Sequence, residues 1–376
     1  MRSIPKEIRL ALKRLEDSGN EAYVVGGAVR NMLLNEKVND YDITTSASPN
    51  TIRLLFPEYN QYVAGKKYGT VVILIGKYKI DITTFRKDLD YLDHRHPKEV
   101  EFTTNLYEDL KRRDFTINAL CLDLKSNLTD YFNGIDDLHN GIIRAIGNPK
   151  TRFNEDALRI LRGIKFATRL NFRIEKSTED AIFENARLLN SIANERKKDE
   201  LLQILSYPNR QKYINRYLEV FKTFIPFKKT DKRIDNFLDS YFSLAYLLSK
   251  TSGYNLKDLK FSKNEINMLN ELIKSTDCDI KNDYEFIMAL SSVYEKEILA
   301  YLSQLHNLDL TERYKEIKPY IVDLNSLNIT GQDLMALGFN GSKIKEIKNL
   351  CIGEIRHKRL KNNNRALRKF IKDAGI

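Results

Sequence analysis

The chain has 376 residues, with 62 Lys and Arg against 51 Asp and Glu for a net +11, three cysteines, no tryptophan, and 42% hydrophobic residues. At roughly 100–200 residues per domain the length allows two to four units, which excludes a miniprotein stapled by disulfides. Cys121, Cys278 and Cys351 lack the spacing of a zinc site or a disulfide framework. The longest aliphatic run, Val71 to Ile75, is far short of the roughly 20 residues that span a bilayer.

In chain order, Ile4, Ile8, Leu12 and Leu15 share one face before a Gly19-Asn20 stop, which predicts an amphipathic helix. Short β-branched or aromatic runs follow at Ala22–Val25, Tyr41–Thr44, Gly69–Ile75, Tyr78–Thr84 and Ala119–Leu124. These predict strands, with a hairpin turning at Gly76-Lys77. Phe85 to Val100, which holds Tyr91, Asp93, His94, Arg95 and His96, has no clear period and reads as a mobile loop. After Gly147-Asn148-Pro149 the strand signals stop. Asn154–Leu170, Ser177–Asn190, Ala193–Leu205 and most of the remainder have helical spacing. The expected fold class is therefore α+β, an α/β head followed by an all-helical remainder, with no internal repeat and no low-complexity linker. No signal core is built at the N-terminus, so a soluble, cytoplasmic protein without a membrane partner is expected.

The charge is concentrated at one end. From 341 to 376 there are eleven Lys and Arg against three acids. A basic terminus on a basic protein points to a phosphate backbone, although a solvated helix face has the same composition.

Four clusters carry chemistry. Gly26-Gly27-Ala28-Val29-Arg30 lies between a strand and a helix, where backbone N–H groups approach an anionic oxygen and Arg30 adds a bidentate donor; a plain tight turn has the same residues. Asp40 and Asp42, at i and i+2 on a strand, send two carboxylates out of one face, and Asp81 adds a third from a neighbouring strand. Hard oxygen donors in that number suit Mg²⁺ shared with substrate phosphates, the layout for in-line attack on a phosphoryl group; a bare Asp pair is also compatible with a solvated strand edge. The run Lys111-Arg112-Arg113-Asp114-Phe115-Thr116-Ile117-Asn118 suits a triphosphate and a ribose hydroxyl, or a salt-bridged turn. Finally, Asp156, Arg159 and Arg162 recur every third residue on one predicted helix. Asp accepts from the exocyclic amino group of cytosine or adenine and Arg donates to the adjacent ring acceptor, whereas guanine and uracil present a carbonyl to the carboxylate. An ordinary i, i+3 ion pair has the same spacing. Asn194 to Leu201 reads as structural support, and the sequence leaves open which of Arg152, Arg162 and Arg196 touches nucleotide.

In this order the clusters resemble the bacterial class II tRNA nucleotidyltransferases, the CCA-adding enzymes and their poly(A) polymerase relatives, through GGAVRNMLL, DYDITT, RRDFTINA, DYFNGIDDLHNGIIR, RFNEDALRILRGIKFATRLNF and NERKKDELLQIL. The resemblance covers about 20–206 well, and LNITGQDLMALGFNGSKIKEI resembles the C-terminal domain. It implies a polymerase-β-like head over 1–145, a neck with the base-reading helix over 146–207, a helical body over 208–320 and a basic tail over 321–376 that binds tRNA. It further implies metal at Asp40, Asp42 and Asp81, triphosphate at Gly26, Gly27 and Arg30, and ribose at Asp114, with Arg113 and Asn118 in the same cluster. Asp156 and Arg159 would read the base, helped by Arg162. The substrates implied are the tRNA 3′ end, CTP and ATP, with no stable protein partner. The 86–100 segment resembles the loop that switches such enzymes from C to A. Asn31 stands where the family usually has Asp, Asn35 where Gly is usual, and His96 where Arg is common. An A-adding enzyme or a poly(A) polymerase shares every motif, and a non-catalytic RNA-binding protein would share the basic tail.

Overall fold

The computed structural model describes residues 3–64, 68–91 and 97–375. The chain divides into two compact units, Met1–Ile225 and Pro226–Ile376.

The first unit opens with α1 (Lys6–Asp17), β1 (Ala22–Val25), α2 (Gly27–Leu33), β2 (Tyr41–Thr45), α3 (Pro49–Leu55), β3 (Gln61–Ala64), β4 (Thr70–Ile75) and β5 (Tyr78–Thr84). It continues through β6 (Arg86–Tyr91), β7 (Pro97–Phe102), α4 (Leu106–Lys111), a 3₁₀ turn at Thr116–Asn118, β8 (Cys121–Leu122) and β9 (Leu128–Thr129). Seven strands form a mixed sheet in the order β3-β4-β5-β2-β1-β8-β9. Its period-2 alternation separates two faces. Val24, Ile43, Ile82, Val71 and Ile73 pack with Ile8, Leu12, Leu15, Val29 and Met32 into one buried core, so α1, α2 and α3 cover that face. Asp42 and Asp81 alternate with those residues and leave from the other face.

Then come α5 (Gly134–His139), β10 (Ile142–Ile143), α6 (Pro149–Glu155), α7 (Leu158–Leu170), β11 (Arg173–Ile174), α8 (Lys176–Asn185), α9 (Asn194–Ser206), α10 (Arg210–Arg216) and α11 (Leu218–Phe221). Asn148 caps α6 by accepting from the N–H groups of Lys150 and Thr151, with Pro149 at the first helical position. The second unit is helical throughout, from α12 (Ser240–Ser249) to α19 (Asn364–Asp373). Its last segment has a core of its own, built on Ile329, Leu334, Cys351, Ile355, Leu367 and Ile371.

Four expectations change. The predicted Ala119–Leu124 strand shrinks to Cys121–Leu122, because Asn118 and Ala119 give their N–H groups to Phe115 and Thr116 in the preceding turn. The continuous Asn154–Leu170 helix is two helices, broken at Asp156, whose φ −138° and ψ 101° are extended. Strand structure does not stop at 149, since β11 pairs parallel with β10. The segment read as an irregular loop is an antiparallel ribbon in which Arg86 faces Phe102. Among the described residues that ribbon pairs only with itself, outside the sheet whose buried face sets the alternation of the other strands. His94 and His96 lie outside the described residues.

Candidate active site

Val25 ends β1 opposite Asp42 on β2, and Gly26 follows at φ 76° and ψ −134°. Only glycine adopts that conformation readily. A Cβ at Gly26 would also stand 3.5 Å from Arg113 Nη1 and 4.0 Å from Asp42 Oδ2, so this backbone floors the space between a cation and an acid. One turn on, Arg30 is buried; its Nη1 donates to Asn118 Oδ1 at 2.5 Å, and its Nε and Nη2 donate to Asn31 Oδ1 at 3.2 and 3.0 Å. Burial, reinforced by Arg169, pushes the Arg30 guanidinium down to about 10. Asn31 Oδ1 also accepts from Arg169 Nη2 at 3.3 Å, so one amide oxygen serves two guanidinium groups. Asn35 takes φ 57°, a left-handed conformation that asparagine tolerates better than most side chains.

Asp42 and Asp81 face each other in the parallel register of β2 and β5. Asp42 opens into the cleft, yet crowding by protein atoms pushes its carboxyl above the usual range; Arg113 opposes this, while Asp81 and Asp40 add to it. Asp81 is 3.5 Å from Lys79 Nζ. Asp40 and Asp81 do not line the cleft beside Asp42, and among the described residues no three His, Cys, Asp or Glu side chains close into a metal cage. The donor set still fits a hard cation. The Asp42 carboxyl, raised by crowding and by its acidic neighbours, is neutralised by a divalent ion whose remaining ligands come from phosphate or water.

On the other side, Asp109 is fully buried on α4. It accepts from Thr44 Oγ1 at 2.9 Å, from Arg112 Nε and Nη2 at 3.0 and 2.7 Å, and from Arg113 Nη2 at 3.3 Å. Burial opposes its ionisation, but these two arginines outweigh burial and hold its carboxyl below the usual range. Next to it a chain of polar contacts crosses the cleft floor. Arg30 donates to Asn118, Asn118 Nδ2 donates to Asp114 Oδ1 at 3.0 Å, and Arg162 Nε and Nη2 meet Asp114 Oδ2 at 2.7 and 2.6 Å. Although burial works against it, Arg162 and Asn118 bring the Asp114 carboxyl down to about 2.

The third wall is the break between α6 and α7. Asp156 lies in the break itself and does not share a helix face with Arg159 and Arg162, as the even spacing had predicted. Its Oδ1 accepts from the Leu158 N–H at 3.1 Å, and its Oδ2 is 3.6 Å from Arg196 Nη2 on α9. Arg159 Nη1 donates to Glu155 Oε2 at 2.7 Å and to the Arg152 carbonyl, and its Nη2 donates to the Arg112 carbonyl. A single cleft of about 370 Å³ nevertheless gathers Gly26, Gly27, Arg30, Asp42, Arg113, Asp114, Asn118, Asp156, Arg159 and Arg162.

Arg112, Phe166 and Arg196 complete its lining. Sequence reasoning gave Arg112 no role of its own within its cluster and missed Phe166. Arg112 had only its place in the Arg-Arg pair to mark it, and Phe166 looks by spacing like an ordinary core aromatic. It stacks under the guanidinium groups of Arg30 and Arg162, 5.0 and 5.5 Å from its ring centre. Asp109 was missed as well, because a buried acid that organises two arginines has no local signature. Six arginines against three aspartates make the cleft a polyanion site with a few acceptors at fixed points.

A mixed sheet that carries paired aspartates beside a glycine turn and an arginine-lined cleft is the frame of a nucleotidyltransferase. Comparison with known proteins agrees: the family model "Poly A polymerase head domain" matches residues 22–144, and "Probable RNA and SrmB- binding site of polymerase A" matches 171–226. The CCA-adding enzyme of Lactobacillus helveticus is 35% identical over 392 residues, covering 96% of this chain and 95% of that protein. The chain belongs to the CCA-adding enzyme family. The crystal structure of the Bacillus stearothermophilus CCA-adding enzyme in complex with CTP superposes with a TM-score of 0.83 at 25% identity, covering 100% of this chain and 98% of that one. The Thermotoga maritima CCA-adding enzyme complexed with tRNA shares the fold, with a TM-score of 0.70 at 24% identity over 99% of this chain and 96% of that one. Among the described residues no helix is long and apolar enough to cross a membrane.

Proposed function

We propose that this protein adds C, C and A to tRNA 3′ ends from CTP and ATP, without a nucleic-acid template, working in the cytoplasm. The observation that carries the reading is a single cleft lined together by Asp42, the Gly26 turn, Asp114 and Asp156. The ribose 3′-hydroxyl of the tRNA attacks the α-phosphorus of the nucleotide. A P–O bond to that oxygen forms as its proton passes to water, the bond to the bridging oxygen breaks, and pyrophosphate leaves with its charge held by Arg30, Arg113 and the Gly26-Gly27 backbone.

Asp42, with Asp40 and Asp81, would hold divalent metal, most suitably Mg²⁺. When bound, the metal supplies charge neutralisation at the phosphates and a lowered pKa for the attacking hydroxyl. Asp114 and Asn118 fix the ribose end through the polar chain to Arg30. Asp156 accepts from the exocyclic amino group of cytosine or adenine, with Arg159 and Arg162 as the basic groups beside it, and so rejects guanine and uracil. In this reading 1–145 is the catalytic head, 146–207 the base-reading neck, 208–320 a helical body and 321–376 the basic tail along which tRNA lies.

The test uses three tRNA transcripts, ending at the discriminator base, at C and at CC. Each is incubated with Mg²⁺ and CTP, ATP or both, and products are resolved at single-nucleotide length. Ordered growth to three added residues is expected. Extension of the CC-ended transcript alone would make the protein an A-adding specialist, long A tails would make it a poly(A) polymerase, and no extension would leave an RNA-binding protein.

A further inference from the structure

The cleft meets the sheet at Asp42 and extends toward β1, but the row on which Asp42 stands continues the other way. Residues directly opposite one another on neighbouring strands leave the same face. Asp42 faces Asp81, Asp81 faces Val72 and Val72 faces Tyr62, so one row crosses β2, β5, β4 and β3. Two residues along the strands, on the same face, Lys79 stands opposite Leu74. Val72 is buried, whereas Tyr62 is 53% exposed, Leu74 42% and the Lys79 side chain 53%. None of these three exposed residues lines the cleft. Lys79 Nζ lies 3.5 Å from Asp81 Oδ1, and Asp81, then Tyr62, hold its ammonium above the ordinary range. An ammonium group, a phenol ring and an aliphatic side chain thus form an open strip beside Asp81.

Strand order says what reaches this strip. Pyrophosphate is held at the Gly26 turn and Arg113, on the β1 side of Asp42. Attacking and leaving oxygens lie roughly in line through the phosphorus, so the 3′-hydroxyl of the RNA arrives from the opposite side, over Asp81. The nucleotide that carries it then lies over β5 and β4, where two strand spacings, about 10 Å, separate Asp81 from Tyr62. We propose that Lys79, Leu74 and Tyr62 seat the 3′-terminal nucleotide of the RNA, Lys79 pairing with the phosphodiester on its 5′ side while the base packs on Tyr62 and the ribose on Leu74. A lysine and an aromatic ring hold single-stranded RNA without reading its sequence. That suits an acceptor whose last base changes identity with the additions. The inference rests on the nucleotidyl-transfer reading and deepens it.

The experiment removes the two charges separately and together. Wild type and Lys79→Gln extend a transcript ending at the discriminator base with CTP, its last phosphodiester either native or replaced by an uncharged methylphosphonate, and kcat and KM are measured for RNA and for CTP. Wild type should lose about threefold to tenfold in kcat/KM for RNA with the methylphosphonate, between the worth of an exposed ion pair and that of a charged hydrogen bond. Lys79→Gln should lose a similar factor with the native linkage and little more with the neutral one, while its KM for CTP stays unchanged. Lys79→Arg, which keeps the cation, should recover most of the loss. Tyr62→Ala should raise the KM for RNA about fivefold or more, the worth of one base stacked on an aromatic ring. Losses from Lys79→Gln and the methylphosphonate that multiply would overturn the assignment, because Lys79 would then act on Asp81 alone. A wild-type KM for RNA in both Lys79→Gln and Tyr62→Ala would overturn it as well. Failure of wild type to extend the native transcript with either nucleotide would count against the nucleotidyl-transfer reading itself, and the seat with it.

Discussion

Replacing Asp114 with asparagine removes one negative charge and leaves the shape of the site. The carboxylate is buried and accepts from the Phe115 N–H at 2.8 Å, from Asn118 Nδ2, and from two nitrogens of Arg162. Folding brings its carboxyl from 3.8 to about 2, with Arg162 and Asn118 overcoming burial. At 1.36 kcal/mol for each pH unit, that is about 2 kcal/mol of stability near neutrality. The cost of breaking a fully buried pair, about 3–5 kcal/mol, does not apply, because the Arg162 side chain is 37% exposed and can turn toward water. The folded-state pKa lies below the unfolded one, so the stabilisation is complete above the unfolded pKa and is lost as pH falls through about 2. The advantage of wild type over Asp114→Asn should therefore be about 2 kcal/mol at pH 7 and about half that at pH 3. Urea unfolding of both proteins at the two pH values, followed by circular dichroism, measures it. A difference that does not change with pH, or no difference at pH 7, would refute the reasoning.

Gly134→Ala should destabilise by about 1–3 kcal/mol in thermal unfolding, because a Cβ there meets the backbone carbonyl of Thr116, which cannot yield as a side-chain tip would. The same turn positions Asn118, so the KM for nucleotide should rise with it. Asn31→Asp should stabilise by about 1 kcal/mol, since Arg30 and Arg169 now share one neutral oxygen; an unchanged or lowered melting temperature would contradict that arrangement. Asp42→Asn should cut nucleotide addition by more than about a thousandfold, with tRNA affinity in a filter-binding assay unchanged. A parallel loss of tRNA binding would argue against its place at the phosphates.

Residues with local signatures were legible from the chain alone. A glycine pair between strand and helix follows from backbone geometry within a few residues, and so Gly26, Arg30 and Asp42 line one cleft, whereas Asp40 precedes β2 and neither it nor Asp81 reaches that lining. The sheet was legible too, because one face had to be buried against α1 and α2 and the aspartates had to alternate onto the other. Less of the base end could be read. The even spacing of Asp156, Arg159 and Arg162 suggested one helix face, but the chain breaks at Asp156, and which cation meets which acid depends on packing between distant segments. Arg162 reaches back 48 positions to Asp114, and Asp156 meets an arginine from α9. The ribbon at 86–102 gave no periodic signal; among the described residues its strands pair only with each other, outside the sheet whose buried face sets the alternation of the other strands. Sequence thus determined which chemical groups were available and which face of each element carried them. Tertiary structure decided their partners, because arginines with similar local surroundings differ only in the acceptors that folding brings within reach.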